Sequence, residues 1–315
     1  MAGTFIQPWW KIGLAIEASK GTAEPDGDCS IVRAAEVRLP KVISEALESE
    51  GDPASTLAVQ EILEGRRYGE VGLKVPLKGA DADVTAPRLG PLLSAAGLGG
   101  AAYGQGAPSG YKYTWADTSL AACTLKNLAM LGEYRLDLYH CAARRAQIIA
   151  PTGGLCFLDV DLVGRFEAET LSGSDISYTE EDSSQLVFKN ATLTQAVGEK
   201  WRNFELTIEN TVAEIPDPTD EHAVGGFEVT HPRRITGSYD PMIEAATKLY
   251  AGATLDFELK VGSGSNILII DADNVQLVDR SLLNRDNQLA FQIAFQCLYD
   301  SVGETLSLSF QYDAT

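Results

Sequence analysis

Stretch after stretch of this chain alternates apolar and polar residues with a period of two, and no other feature narrows its possible folds as far. Leu158, Val160 and Leu162 alternate with Asp159 and Asp161, and Phe204, Leu206 and Ile208 with Glu205, Thr207 and Glu209. Further on, Leu255, Phe257, Leu259 and Val261 interleave with Asp256, Glu258 and Lys260, and Phe291, Ile293 and Phe295 with Gln292, Ala294 and Gln296. Leu306, Leu308, Phe310 and Tyr312 set against Ser307, Ser309 and Gln311 come last. Successive side chains of a strand point to opposite faces, so each stretch is predicted to be a strand with one dry and one wet side. Such strands belong to antiparallel sheets, which predicts a mainly β architecture of sandwiches or barrels.

Helix is scarce by comparison. Residues 87–97 and 241–252 each open near a proline and close at a glycine, as helix ends do. Residues 44–64, 98–112 and 211–226 are acidic or rich in glycine, alanine and proline, and are read as loops. Loops of that length in a compact domain are usually functional or disordered; in a self-assembling protein they would be arms that reach neighbours, with 44–64 and 211–226 expected to become ordered only between them.

The two halves share an order of elements. The passage from Glu133 to Gly164 has a strand, a polar stretch, a strand with an Ile-Ile core, a turn and a long alternating strand, and a similar order runs from Ala253 to Asp279 and on to Cys297. Both candidate helices follow a short glycine-containing strand (68–76 and 235–239), itself preceded by paired arginines, Arg66-Arg67 and Arg233-Arg234. This order predicts duplicated β-sandwich or barrel units, each with a short flanking helix, over residues 1–165 and 166–315. Duplicated units favour assembly by stacking or ring formation.

Composition excludes several classes. With 315 residues and 45% hydrophobic content the chain can build the cores of two ordinary domains. No apolar run approaches the roughly 20 residues that span a bilayer, and no signal-peptide pattern is present, so a soluble protein made in the cytoplasm is expected. Cys29, Cys123, Cys141, Cys156 and Cys297 contain no CxxC pair and are an odd set, so neither a disulfide framework nor zinc is indicated. The formal net charge is −19. Residues 1–165 carry 19 acidic against 16 basic side chains, net −3, and residues 166–315 carry 25 against 9, net −16. Such a surface repels nucleic acid, which argues against a DNA-gripping protein but suits one past which DNA must slide.

No motif for chemistry stands out. His140, His222 and His231 fall into neither HExxH spacing nor a hydrolase triad. His140 and Cys141 are neighbours on a predicted strand and would point to opposite faces, which disfavours a Cys–His pair. The glycines between Gly97 and Gly110 lack both the GxGxxG spacing and a Walker lysine. Asp271-Ala272-Asp273-Asn274 opens like a calcium loop, but Val275 stands at a ligand position, and a solvated turn is the better reading. Asp159/Asp161 and Asp256/Glu258 are carboxylate pairs that could in principle serve a glycosidase, though no aromatic cluster surrounds them. No catalytic, cofactor-binding or metal-binding residue is therefore assigned.

Several segments, taken in order, carry a family resemblance. Residues 11–23, KIGLAIEASKGTA, end a strand in Glu-x-x-x-Gly-Thr; residues 70–99 hold a strand and a proline-led helix ending in AAGLG. The hairpin IIAPTGGLCFLDVDLVG spans 148–164, and FELTIENTV spans 204–212 before a loop and ITGSY. This succession, covering nearly the whole chain, resembles the tail tube proteins of long, non-contractile-tailed bacteriophages. The resemblance implies a β-sandwich or barrel with a flanking helix whose sheets join into a continuous tube. It also implies a structural virion protein without catalytic residues, whose rings stack into a conduit for genome DNA during ejection.

From the same resemblance follow the expected partners: other copies of the chain, a tape measure protein, a tail terminator, and DNA that passes without specific binding. Single-domain members of the family form six-membered rings, so a chain with two units predicts three chains per ring, with six as the alternative. Tube lumens are typically acidic, and Asp159, Asp161, Asp256 and Glu258, one pair from each half, are the candidate lumen-lining residues. The unequal charge of the halves departs from what two equivalent lumen-lining copies would show. Competing readings are another β-rich virion component, such as a baseplate or head-completion protein, and a carbohydrate-binding or glycosidase module.

Overall fold

Alternating stretches need partners for their backbone amides and carbonyls, and here nearly all find them in neighbouring strands. The computed structural model describes residues 10–48, 62–79, 85–104, 109–116, 120–129, 135–170, 185–194, 201–241, 252, 254–263, 266–285, 288–299 and 305–312. The strands of the first half are β1 (Trp10–Ile16), β2 (Ser30–Ala34), β3 (Glu36–Glu48), β4 (Ile62–Pro76), β5 (Leu98–Tyr103), β6 (Ser109–Trp115), β7 (Cys123–Ala129), β8 (Arg135–Ala150) and β9 (Phe157–Thr170). They are followed by β10 (Thr192–Leu193), β11 (Trp201–Pro216), β12 (Val224–Pro241), β13 (Thr254–Ser263), β14 (Asn266–Arg285), β15 (Gln288–Cys297) and β16 (Ser307–Tyr312). The protein is mainly β, as the alternation predicts, and its strand pairs are antiparallel.

One hydrogen-bonded ladder runs β3-β4-β9-β8-β11-β12-β15-β14-β13. Two further sets of strands branch from it. β7, β1 and β2 continue from the N-terminal part of β8, where Cys123 pairs with Cys141, whereas β11 takes the C-terminal part, from Arg145 to Ala150. β16, β6 and β5 continue from Ile267–Asp271 of β14, whereas β15 takes Val275 onward. One extended apolar core joins these layers, from Ile12 and Leu14 through Ile148, Leu158 and Phe204 to Leu308 and Phe310, with a smaller cluster around Val163 beside it. At its centre Phe204 lies 5.6 Å from Phe257 and Phe257 lies 5.1 Å from Phe295, measured between ring centroids. Burying each such ring is worth about 2–3 kcal/mol, with a further ~1 kcal/mol from aromatic contact.

The first predicted helix is present as α1 (Gly90–Ala95), with Pro91 in its first turn and all six residues buried beside β1, β5, β7 and β8. It stops at Gly97, whose φ of +85° is the left-handed value that glycine tolerates best. Of the second predicted helix, residues 242–251 lie outside the described residues.

The predicted loops turn out to be hairpins. Residues 44–48 and 62–64 extend β3 and β4, with Ser44 opposite Arg67 and Glu48 opposite Ile62, while 49–61 lie outside the described residues. Residues 98–103 and 109–112 are β5 and part of β6, and 211–216 and 224–226 belong to β11 and β12. Gly99–Ala102 is exposed on both faces, so no period-two pattern marks it. The 211–226 segment is ordered by its own chain. Its Val212 and Val224, with the adjoining Phe227 and Val229, pack on Ala142, Val163 and Tyr68, and Arg67 N donates to His222 O at 3.2 Å.

The predicted repeat does not carry over stretch for stretch. The polar stretch after Tyr139 lies inside β8, whereas its counterpart after Val261 is the turn between β13 and β14. The Pro151–Gly154 turn closes a hairpin, whereas Asp271–Asn274 lies within β14, at a bulge where Asn274 has φ +57°. A cut between residues 165 and 166 falls inside β9, and β6 from the first half pairs with β16 from the second.

Candidate functional site

Because directly paired residues share a face, register alone assembles a surface across the ladder. Glu36 pairs with Lys74, Lys74 with Asp159, and Asp159 with Gln147. Gln147 pairs with Thr207, Thr207 with Thr236, Thr236 with Gln296, Gln296 with Gln276 and Gln276 with Thr254. Every member of this row is polar, and Gln296 Nε2 donates to Gln276 Oε1 at 3.0 Å. On the other side of the same strands lie the buried Val75, Leu158, Ile148, Leu206 and Phe295. Asp161 stands two residues along β9 from Asp159, and Asp256 and Glu258 follow Thr254 at spacing two, with Phe257 and Leu259 turned into the core. All four carboxylates named from the sequence therefore lie on one polar face of one continuous ladder.

Their environments differ. Asp159 is buried, and its two oxygens receive hydrogen bonds from Arg38 at 2.5 and 3.1 Å. Arg38 also reaches Asp161 at 2.6 Å, and Arg145 closes the group from the other side at 2.7 Å to Asp161 and 3.4 Å to Asp159. Donating hydrogen bonds to Asp159, together with the fields of Asp159, Asp161 and Glu36, holds the Arg38 guanidinium above its ordinary pKa despite the opposing effect of burial. Two carboxylates and two guanidiniums make a neutral cluster, so Asp159 and Asp161 do not present the bare negative charge expected of them. The sequence signal missed was Arg38, 121 positions away and brought alongside only by the β3–β4 hairpin. Asp256 and Glu258 are exposed on β13.

This asymmetry gives a test. Asp159→Asn removes one charge from a buried, doubly hydrogen-bonded site and is expected to cost about 2 kcal/mol, discounted from the larger cost of a fully buried pair because Arg38 is partly wet. Asp161→Asn, at a carboxylate 39% exposed, is expected to cost under ~1 kcal/mol. Chemical denaturation of the two variants measures the difference, and equal losses would contradict the geometry.

The histidines hold structure. His140 takes a left-handed φ of +47° at a bulge in β8, and its Nδ1 lies 3.1 Å from Gly225 O. His222 packs edge-on against Phe166, and His231 precedes the cis peptide to Pro232. Glu17, from the Glu-x-x-x-Gly motif, is buried and accepts from Gly21 N at 2.8 Å, from Thr124 Oγ1 at 3.1 Å and from His140 N. Among the described residues no group of three His, Cys, Asp or Glu side chains could hold a metal ion, and no helix is long and apolar enough to cross a membrane. Compared with protein families and with curated proteins, the chain matches none.

Proposed function

We propose that the chain is a structural virion protein that polymerises into stacked rings forming the tail tube of a long, non-contractile-tailed bacteriophage, with no catalytic role. The observation that carries this reading is the order of strands in the ladder. β3-β4-β9-β8 is followed by β11-β12-β15-β14, two sets of four in which a first hairpin is followed by a second, entered in the same order. The sets are joined inside the chain by the β8–β11 seam, from Arg145–Glu209 to Ala150–Phe204. Among the described residues no second strand pairs with β3 beyond β4, and none pairs with the β13 side of β14 beyond Gln276. Those two free edges correspond to the two sides of the internal seam. Joined between copies, they would repeat it and close the sheet around an axis.

In this reading the repeated sets are two units of one fused chain, and three chains supply six. The polar face bearing Asp256 and Glu258 lines the bore, where exposed carboxylates repel DNA and let it pass. Tape measure and terminator proteins would be the remaining tail partners. Electron microscopy of concentrated protein, with a mass for the isolated ring, tests it. The expected result is uniform rings or tubes of three chains, with Asp256 and Glu258 on the inner wall. Six chains per ring would remove the fused-pair reading, and a monodisperse monomer at high concentration would remove the tube.

A further inference from the structure

Cys123 and Cys141 lie directly opposite each other on β7 and β8. Residues so placed in an antiparallel pair have Cα atoms roughly 4.5–5.5 Å apart, inside the range a disulfide spans. Both side chains are buried, at 0% and 1% exposure. Room for the sulfurs comes from Gly164 on β9, where a Cβ would stand 2.3 Å from Cys141 Sγ. Cys141 also lines a cleft of about 180 Å³, shared with His140, Lys20 and Glu228, whereas Cys123 does not reach it.

We propose that Cys123 and Cys141 form a cross-strand disulfide when the protein meets a small disulfide oxidant, stapling β7 to β8. A disulfide RS–SR enters the cleft and is attacked by the Cys141 thiolate, forming Cys141–S–SR while the first RS⁻ leaves and takes up a proton. Cys123, losing its own proton, then attacks the Cys141 sulfur and displaces the second RS⁻, which is protonated in turn. Two thiols are oxidised by two electrons and one oxidant molecule is reduced to two RSH. Burial pushes the Cys141 thiol well above its ordinary pKa, so the first step is slow at neutral pH and quickens as the solution is made alkaline. A particle leaving a reducing cell for an aerated medium would acquire the link late.

The full-length protein, reduced, is incubated with 2-hydroxyethyl disulfide, and free thiols are alkylated after denaturation. Of the five cysteines, three are expected to remain alkylatable once surface adducts have been resolved by peptide mapping, with one peptide joining Cys123 to Cys141. Closing that loop should raise the melting temperature by roughly 5 °C or more, reversibly with dithiothreitol. Cys123→Ala and Cys141→Ala should each abolish both the linked peptide and the shift. A map in which both cysteines stay alkylatable overturns the proposal, as does a mixed disulfide on Cys141 that Cys123 never displaces.

Discussion

Leu282→Asp is expected to yield a protein that folds as before and no longer polymerises. Among the described residues β14 beyond Leu277 pairs with β15 alone, as a two-stranded arm extending past the rest of the ladder. Its core-side face keeps apolar side chains past the end of the core, beside the charged Arg280. Ile293 is buried, Phe291 is partly buried against the core, Leu282 lies directly opposite Phe291, and the Arg280 guanidinium sits 3.8 Å over the Phe291 ring. Leu282 itself is 59% exposed, and Val278 at the adjoining bulge is 45% exposed. An isolated hairpin with an exposed apolar side is marginal in water, and in the proposed assembly another copy would supply its cover. Burying the leucine there is worth about 2 kcal/mol, and forcing a carboxylate into the same place reverses the sign, for a loss of at least ~3 kcal/mol at every contact in the ring. That corresponds to a concentration threshold for assembly raised more than about a hundredfold. Sedimentation and circular dichroism of the variant measure both halves of the expectation. Tubes forming at the wild-type threshold would exclude the arm from the interface, and a monomer already destabilised would mean that Leu282 is covered within its own chain.

How far the sequence could be read follows from what period two records. Alternation marks a strand only where one face is dry, so Leu158–Leu162 and Phe204–Ile208 were visible, and their inward residues are those that line the core. It cannot mark a strand wet on both sides or one covered late by another hairpin. Gly99–Ala102 therefore reads as a loop although its backbone pairs regularly with β6, while Ser44 to Glu48 pair with β4 across a register shift. The face shared by Asp159, Asp161, Asp256 and Glu258 could be guessed from spacing within each strand, but its continuity needed the register of every pair between them. Charge was the least legible property. Arg38 and Arg145 neutralise Asp159 and Asp161 through contacts that no local pattern announces, and the count of acids along the chain overstated what that half of the surface presents. The order of the two four-stranded sets is likewise absent from any single stretch. Strand order is a property of pairing across the whole chain, which no local pattern records.

Glu17→Ala is expected to cost about 4 kcal/mol, more than any other single polar change proposed for this chain. Strand β1 ends at Ile16, and the chain reverses through Gly21, whose φ of +78° leaves its amide turned inward. The Glu17 carboxylate meets that amide at one oxygen, and its other oxygen accepts from Thr124 Oγ1 and from the amide of His140, itself held left-handed at the β8 bulge. One side chain thus satisfies donors from the first turn, from β7 and from β8, at a place only 7% exposed. Alanine would leave two backbone amides without acceptors, at roughly 1–3 kcal/mol each, and the threonine hydroxyl would have to turn elsewhere. Glu17→Gln keeps the shape but replaces one acceptor by a donor facing a donor, so about 2 kcal/mol is expected. Urea unfolding of the two variants should therefore rank alanine below glutamine and both below the parent. A loss under ~1 kcal/mol for alanine would show that water enters and takes over the carboxylate's work. The Glu-x-x-x-Gly spacing then has a physical reason: four residues are what the turn needs for the carboxylate to reach back to the glycine amide while its second oxygen pins the strands beneath.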